Sequence, residues 1–293
     1  MPDLLRAWRL IRWIDFLIAT LAFLLGVGLA RYLGASVRWE ALAIGLLVLG
    51  ALFLSFTWLR EYFRLPFLPR PAEETPGQRE RFRLLLLQLS YAGLAVGGVG
   101  AVVLVFYRLL GLESSLLLLL IVFVQTLASL PPFRLGERGY GELLAILTLV
   151  MFPQALGFYL QQHTYHRLLS LTAFPLVFLA FASFLASGFS RFASDQKLGR
   201  ESLLSRLTWP RAVIFHHVSL LLAVVFFLLA PLGGLSLALL WPLLLVLPFY
   251  GLQVYWLQRI ISGAPPLWKF FDLLLYANLA LTLYLLTLSF WTR

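Results

Sequence analysis

The chain has 293 residues, of which 61% are hydrophobic and only 12% are charged, and its mean hydropathy is +0.90. A water-soluble domain of this size could not bury so much apolar surface, so the composition excludes a soluble globular protein and predicts an integral, multi-pass membrane protein. The net charge is +10, but no soluble basic domain carries it, so nucleic acid is not an expected partner. The lack of cysteine excludes disulfides and thiolate metal ligands.

Nine apolar stretches are long enough to cross about 30 Å of hydrocarbon as helices. Backbone groups in lipid need internal hydrogen-bond partners, so these stretches predict an all-α bundle of about nine transmembrane helices in one domain, 1–293. Counts from eight to ten are compatible, because the fourth stretch is short and only Gly233 and Gly234 separate the seventh from the eighth. In chain order the predicted spans are approximately 14–34, 41–59, 84–107, 114–130, 142–160, 168–189, 213–232, 235–257 and 267–291.

The basic residues are distributed unequally between the two sides of these spans. If the N-terminus is inside, 18 of the 23 Lys and Arg residues fall on the inner side, which is 23 minus five. The five on the outer side are Arg31, Arg38, Arg108, Arg167 and Arg293. The positive-inside rule therefore predicts a cytoplasmic N-terminus in the cytoplasmic (inner) membrane, and the basic face is expected to attract anionic membrane lipids.

Three connections on the predicted cytoplasmic side contain nearly all of the polar chemistry. They cover about 60–83, 131–141 and 190–212. Apart from QQHTYHR at 161–167, connections on the other side are short or without distinctive residues, so we expect the polar site to lie on the cytoplasmic face. Prolines at four positions are expected to interrupt or kink helices, because each removes a backbone donor. These prolines are Pro153, Pro175, Pro242 and Pro248.

The second and third connections carry the recognisable motifs. Residues 129–143 read SLPPFRLGERGYGEL, and in 190–203 Asp195 is followed in register by Gly199 and Arg200. Together these segments resemble the corresponding loops of the UbiA superfamily of intramembrane prenyltransferases. That resemblance implies nine transmembrane helices, a cytoplasm-facing cavity that binds an isoprenoid, and transfer of a prenyl group from its diphosphate to an aromatic acceptor.

The resemblance also implies site residues and a cofactor. In the family, two aspartate-rich motifs hold Mg2+ ions that bridge the diphosphate. Transferred to this chain, the metal ligands for Mg2+ are Asp195 and Glu61. The implied diphosphate-binding residues are Arg134, Arg138, Arg191, Lys197 and Arg200.

Two departures from the family pattern leave the function open. Residues 55–64 read SFTWLREYFR, with Glu61 as the only acid, and Arg191 stands where the family has a second aspartate four positions before Asp195. Mg2+ prefers several hard oxygen ligands, and an arginine would repel it. In one interpretation arginines replace the metal, because guanidinium groups bind phosphate bidentately.

In another interpretation catalysis is lost, and the bundle binds an isoprenoid, a prenylated quinone or a pigment as a structural or cofactor-binding subunit of a larger membrane complex. A third interpretation, a small-molecule transporter, is prompted by Asp15 and Asp272, because ionisable residues inside a membrane are often functional. Both aspartates are near the predicted cytoplasmic interface, where Arg12 or Lys269 could pair with them.

Overall fold

A computed structural model describes residues 2–72 and 74–293, so residue 73 of the first connection lies outside the described residues. The described chain is built from helices, and the fold is an all-α bundle. In chain order the helices are α1 Pro2–Arg9, α2 Trp13–Tyr32, α3 Trp39–Arg64, α4 Pro76–Phe106, α5 Leu112–Ser129, α6 Gly141–Ile146, α7 Phe152–Tyr159, α8 Arg167–Lys197, α9 Leu203–Leu207, α10 Trp209–Leu229, α11 Leu237–Leu240, α12 Leu247–Ile261 and α13 Trp268–Trp291.

Eight helical segments of the described residues are long and apolar enough to cross a membrane, and a bent pair makes a ninth. The bent pair is Leu237–Leu245 followed by Leu247–Ile261, with an angle of 44° at the break. The prediction of about nine transmembrane helices in a multi-pass membrane protein is confirmed. The seventh and eighth predicted spans are separate elements, joined through a short 3-10 turn at Ala230–Gly233.

Prolines account for some of the irregular helices but not for all of the predicted interruptions. Pro242 lies in a 3-10 segment and Pro248 in the first turn of α12, next to the 44° bend. Pro153 lies in the first turn of α7, directly after a π-helical turn at Leu147–Met151 that joins α6 and α7 into one span. Pro175, by contrast, lies inside an uninterrupted α8, where the other backbone hydrogen bonds continue the helix.

Two of the predicted connections are shorter than 60–83 and 190–212, because helices extend into them. Helix α3 continues to Arg64, and α4 already begins at Pro76, where Thr75 and Gln78 form a reciprocal capping box. Helix α8 continues to Lys197. Charged residues at helix ends extend past the apolar stretch into the headgroup region, so hydropathy alone underestimates these helices.

The position of the site follows from which helices begin and which end at the same end of the bundle. Helix α2 packs between α7 and α13, α3 pairs with α4, and α8 pairs with α10. At one end of the bundle, α2, α6 and α13 begin while α3, α5 and α8 end. We call this the charged end, because the ionisable residues of these helix termini converge there.

Candidate functional site

A cavity of about 790 Å³ lies at the charged end of the bundle. Helices α2, α3, α5, α6, α8 and α13 all contribute side chains to its wall. Part of the wall is aromatic and aliphatic, with Phe53, Phe56, Leu149 and Phe184 as its larger members. The cavity therefore combines a charged region with an apolar one, which suits an amphiphilic ligand.

The charged part of the wall contains both signs in nearly equal number. Its six arginines are Arg9, Arg12, Arg60, Arg64, Arg191 and Arg200. Its seven acids are Asp15, Glu61, Glu137, Glu142, Asp195, Glu201 and Asp272. Glu201 is paired at 2.8 Å with Arg206, which lies outside the wall. When Arg206 is counted with the six arginines of the wall, the basic side chains equal the seven acids in number.

Four of these acids are paired with arginines of the same wall, and one of them, Glu137, lies 4.0 Å from Nε of Arg64. Glu61 lies 2.9 Å from Arg64, which is one turn further along α3. Asp195 lies 3.9 Å from Arg200 across the end of α8, and Asp15 lies 3.3 Å from Arg12. The pairing of Asp15 with Arg12 confirms that part of the sequence prediction.

Arg12 directly precedes the first residue of α2 and lies between α2 and α13. It contacts Asp15 and donates a hydrogen bond to the phenol oxygen of Tyr276 on α13. Burial acts to lower the pKa of Arg12, but Asp15, Tyr276 and Asp272 outweigh burial and raise that pKa above its usual value. Asp272 did not pair with Lys269; it accepts a hydrogen bond from Ser190 at 2.9 Å.

The structure brings four of the predicted site residues together. Glu61, Arg191, Asp195 and Arg200 all line the cavity, although they come from α3, α8 and the loop after α8. The three remaining residues lie outside the cavity wall: Arg134, Arg138 and Lys197.

Those three outer residues have other surroundings. Arg134 adopts a left-handed backbone conformation with φ of 46°, donates to the backbone oxygen of Phe63 and stacks over the ring of Phe67 at 4.7 Å. Arg138 lies in the loop between α5 and α6, where it forms a backbone bridge with Glu201. Lys197 is exposed at the last residue of α8.

Sequence reasoning gave no site role to several cavity residues. Glu142 belongs to the 129–143 motif without an implied role, and Asp15 and Asp272 prompt only the transporter interpretation, yet all three line the cavity. Their common signal was present: each is an acid within the first turns of an apolar helix that begins at the charged end. Because these helices are far apart in sequence, their convergence depends on the fold.

The second and third connections pair with each other beside the cavity. The backbone N–H of Gly139 donates to the oxygen of Glu201 at 2.9 Å, and the N–H of Glu201 donates to the oxygen of Glu137 at 3.2 Å. Glu142 accepts a hydrogen bond from the backbone N–H of Leu203 at 3.2 Å. The hydrogen bond to Glu201 raises the pKa of Arg206, which also stacks on Tyr140 at 4.7 Å.

We expect Gly139→Ala to loosen this pairing. Gly139 has φ of 82°, and an added Cβ would lie 2.3 Å from Nε of Arg206. A left-handed alanine costs about 1 kcal/mol, and the displaced Arg206 would also lose its contacts with Glu201 and Tyr140. Hydrogen exchange of the amides in 137–141 and 198–206 should therefore become faster.

Gly199→Ala is the matched control for this change. Gly199 has φ of 64°, also left-handed, but an added Cβ there would meet nothing within 4 Å. Gly199→Ala therefore has the backbone cost of a left-handed alanine but no steric collision with a neighbouring side chain. Equal acceleration of exchange in both variants would contradict a role for the Arg206 contact in joining the loops.

The donor set of the cavity does not fit the Mg2+ that the family resemblance implies. Within residues 2–72 and 74–293, no three His, Asp or Glu side chains come together in a way that could hold a metal ion. The two predicted ligands, Glu61 and Asp195, each face an arginine instead, and Arg191 lies beside them in the wall. An Mg2+ site normally provides carboxylates whose charge is free for the ion.

Comparison with solved structures identifies the fold. A UbiA homolog from Archaeoglobus fulgidus bound to GPP and Mg2+ superposes with a TM-score of 0.65 and 14% identity, covering 97% of this chain and 100% of that chain. The same homolog bound to DMAPP and Mg2+ gives a TM-score of 0.61 at 13% identity, covering 94% and 99%. With Cd2+ bound it gives 0.61 at 14% identity, covering 95% and 98%.

This chain therefore has a UbiA-like fold over nearly its whole length, as its loop motifs predicted. No protein-family model matches the sequence, and no curated protein matches it either.

Proposed function

We propose that this protein binds an isoprenoid at the charged end of the bundle, with the end facing the cytoplasm. The anionic head of the ligand contacts arginines of the wall, and its prenyl chain lies along Phe53, Phe56 and Phe184. The observation that carries this proposal is the amphipathic cavity of about 790 Å³ at that end. Its volume is in the range of small-molecule sites, about 300–1,000 Å³.

Three arginines of the wall are suited to an anionic head. Arg9, Arg60 and Arg191 line the cavity and form no ion pair with a described carboxylate. Guanidinium groups bind phosphate oxygens through paired, charge-assisted hydrogen bonds. The homolog of the same fold that was solved with GPP and DMAPP supports a prenyl diphosphate as the ligand to test.

The reaction proposed for this cavity is transfer of the prenyl group from its diphosphate to an aromatic acceptor: the carbon–oxygen bond to the diphosphate breaks, a bond to the acceptor forms, and the diphosphate and a proton of the acceptor are released. A specific observation favours a second candidate, a catalytically silent isoprenoid-binding subunit of a membrane complex. Glu61 and Asp195, which would have to hold the metal in a conventional transferase, are occupied by Arg64 and Arg200. The silent protein would retain the cavity for a prenylated quinone or a pigment, whose uncharged head matches a charge-balanced wall.

The two candidates are separated by one set of measurements on the purified protein in lipid nanodiscs. Labelled geranyl diphosphate is first tested for binding and then incubated with a panel of aromatic acceptors. A prenylated product supports the transferase, whereas binding without a product supports the silent subunit. The absence of any isoprenoid binding, including that of a prenylated quinone, would remove both.

Arg60→Met tests the position of the ligand head. Losing one charge-assisted contact should weaken binding of geranyl diphosphate about tenfold or more. Arg81→Met is the control, because Arg81 is an exposed arginine near the same end that does not line the cavity. Equal affinities in the two variants would place the head elsewhere.

A further inference from the structure

Arg191 occupies an unusual position in the cavity wall. It lies on α8, one turn before Asp195, and its guanidinium donates to the backbone oxygen of Ser187 at 3.3 Å and to the hydroxyl of Ser187 at 3.0 Å. These bonds use part of the five N–H groups of a guanidinium. No described carboxylate comes within ion-pair distance of Arg191, so its remaining donors are available in the cavity.

Carboxylates from four helices share the cavity with this arginine, and none of them forms an ion pair with it. Asp15 of α2, Glu142 of α6, Asp195 of α8 and Asp272 of α13 all line the same cavity. Asp195 lies one helical turn after Arg191 on α8, and Ser190, the residue next to Arg191, donates a hydrogen bond to Asp272 at 2.9 Å. A cation that belongs to the chain thus lies among acids from four helices.

The loop resemblance implies an aspartate, as a metal ligand, at the position of Arg191 four residues before Asp195. In the homolog of the same fold the ligands include Mg2+ or Cd2+, whereas the acids of this chain form no metal-binding group within its described residues. A divalent ion placed among these carboxylates would also be repelled by Arg191. The side chain supplies one positive charge there permanently, with its orientation fixed by Ser187.

We propose that Arg191 is a tethered cation that takes the place of the divalent metal, so that the phosphate head of an isoprenoid binds directly to its guanidinium. The ligand class is a prenyl chain with a mono- or diphosphate head, bound without a divalent ion. This inference rests on the proposed isoprenoid binding. It assigns recognition of the phosphate head to Arg191, a cationic residue that a metal site would not contain.

The first test compares binding of geranyl phosphate and geranyl diphosphate to the wild-type protein in excess EDTA and in millimolar Mg2+. We expect at least one of the two ligands to bind with the same affinity in both conditions. Arg191→Met should weaken that binding about tenfold or more, while Arg211→Met, an exposed arginine outside the cavity, should not.

The second test restores an acid. Arg191→Asp places a carboxylate one helical turn from Asp195 and removes the repelling charge. We expect Mg2+, Mn2+ or Cd2+ to raise the unfolding temperature of this variant, with no such shift in the wild-type protein. Binding of geranyl diphosphate to the variant should then be abolished by EDTA.

The outcomes distinguish this inference from the function on which it rests. Binding to the wild-type protein that disappears in EDTA overturns the tethered cation but preserves isoprenoid binding. A metal-dependent rise in the unfolding temperature of the wild-type protein overturns it as well, and this readout needs no variant to fold. Failure to bind either ligand in both conditions overturns the proposed phosphate-headed ligand and the inference together.

Discussion

Gly26→Ala and Gly157→Ala are each expected to destabilise the bundle by about 3 kcal/mol. The two glycines face each other across α2 and α7. A Cβ on Gly26 would lie 1.9 Å from the backbone oxygen of Gln154, and a Cβ on Gly157 would lie 2.1 Å from that of Phe23. Backbone cannot move aside as a flexible side chain can, so the helices would have to separate.

The intrinsic helix preference acts in the opposite direction but is smaller. Alanine is favoured over glycine in a helix by about 1 kcal/mol, which does not offset the loss of close packing at two backbone contacts. Thermal unfolding of the detergent-solubilised protein, followed by tryptophan fluorescence, measures the difference. Both variants should unfold well below the wild-type temperature.

Gly98→Ala provides the matched control within a transmembrane helix. Gly98 lies on α4, and an added Cβ there would meet nothing within 4 Å. Its unfolding temperature should stay the same or rise slightly. If Gly26→Ala behaves like Gly98→Ala, the close approach of α2 and α7 is incorrect.

The fold could be predicted from this sequence because membrane helices are specified locally. Each span is marked by its own apolar stretch, and the predicted 14–34 differs from α2 Trp13–Tyr32 by only two residues at its far end. The errors occur where charge or capping extends a helix beyond the hydrocarbon. The start of α4 at Pro76 depends on the Thr75 side chain, and hydropathy does not report such a hydrogen bond.

The site was only partly predictable, because its composition depends on distant helices. Asp195 and Glu61 were found by motif, and both line the cavity. Asp15 and Asp272 are separated by most of the chain, so their common position follows from the packing of α2 against α13. Arg134 matches a motif as closely as any residue, yet its left-handed backbone accompanies contacts with Phe63 and Phe67 outside the cavity wall.

The proposed ligand orientation depends on the division of the cavity into charged and apolar parts. The arginines lie close to the helix termini, and the aromatic residues lie deeper in the bundle on the same helices. On α3, Phe53 lies seven residues before Arg60, and on α8, Phe184 lies seven residues before Arg191. Seven residues of helix span about 10 Å. A prenyl chain whose head contacts the arginines would therefore reach the aromatic part.

Ala145→Trp is expected to reduce isoprenoid binding at least about tenfold, which corresponds to about 1.4 kcal/mol. Ala145 is a small residue of α6 that lines the cavity together with Leu144 and Leu149. An indole at this position would occupy the space proposed for the prenyl chain, while the arginines of the head site would keep their places. The loss of affinity should therefore grow with chain length, from dimethylallyl to geranyl to farnesyl diphosphate. Titration of each ligand into the variant in nanodiscs measures this loss.

The same substitution at Ala95 separates a filled cavity from a bulky residue in general. Ala95 is exposed on α4 and does not line the cavity, so Ala95→Trp should place its indole in lipid and leave the affinity for each ligand unchanged. Thermal unfolding of both variants checks that α6 retains its packing. If Ala145→Trp folds normally and still binds farnesyl diphosphate as the wild type does, the prenyl chain does not enter this cavity, because no isoprenoid of that length could share the apolar part with an indole.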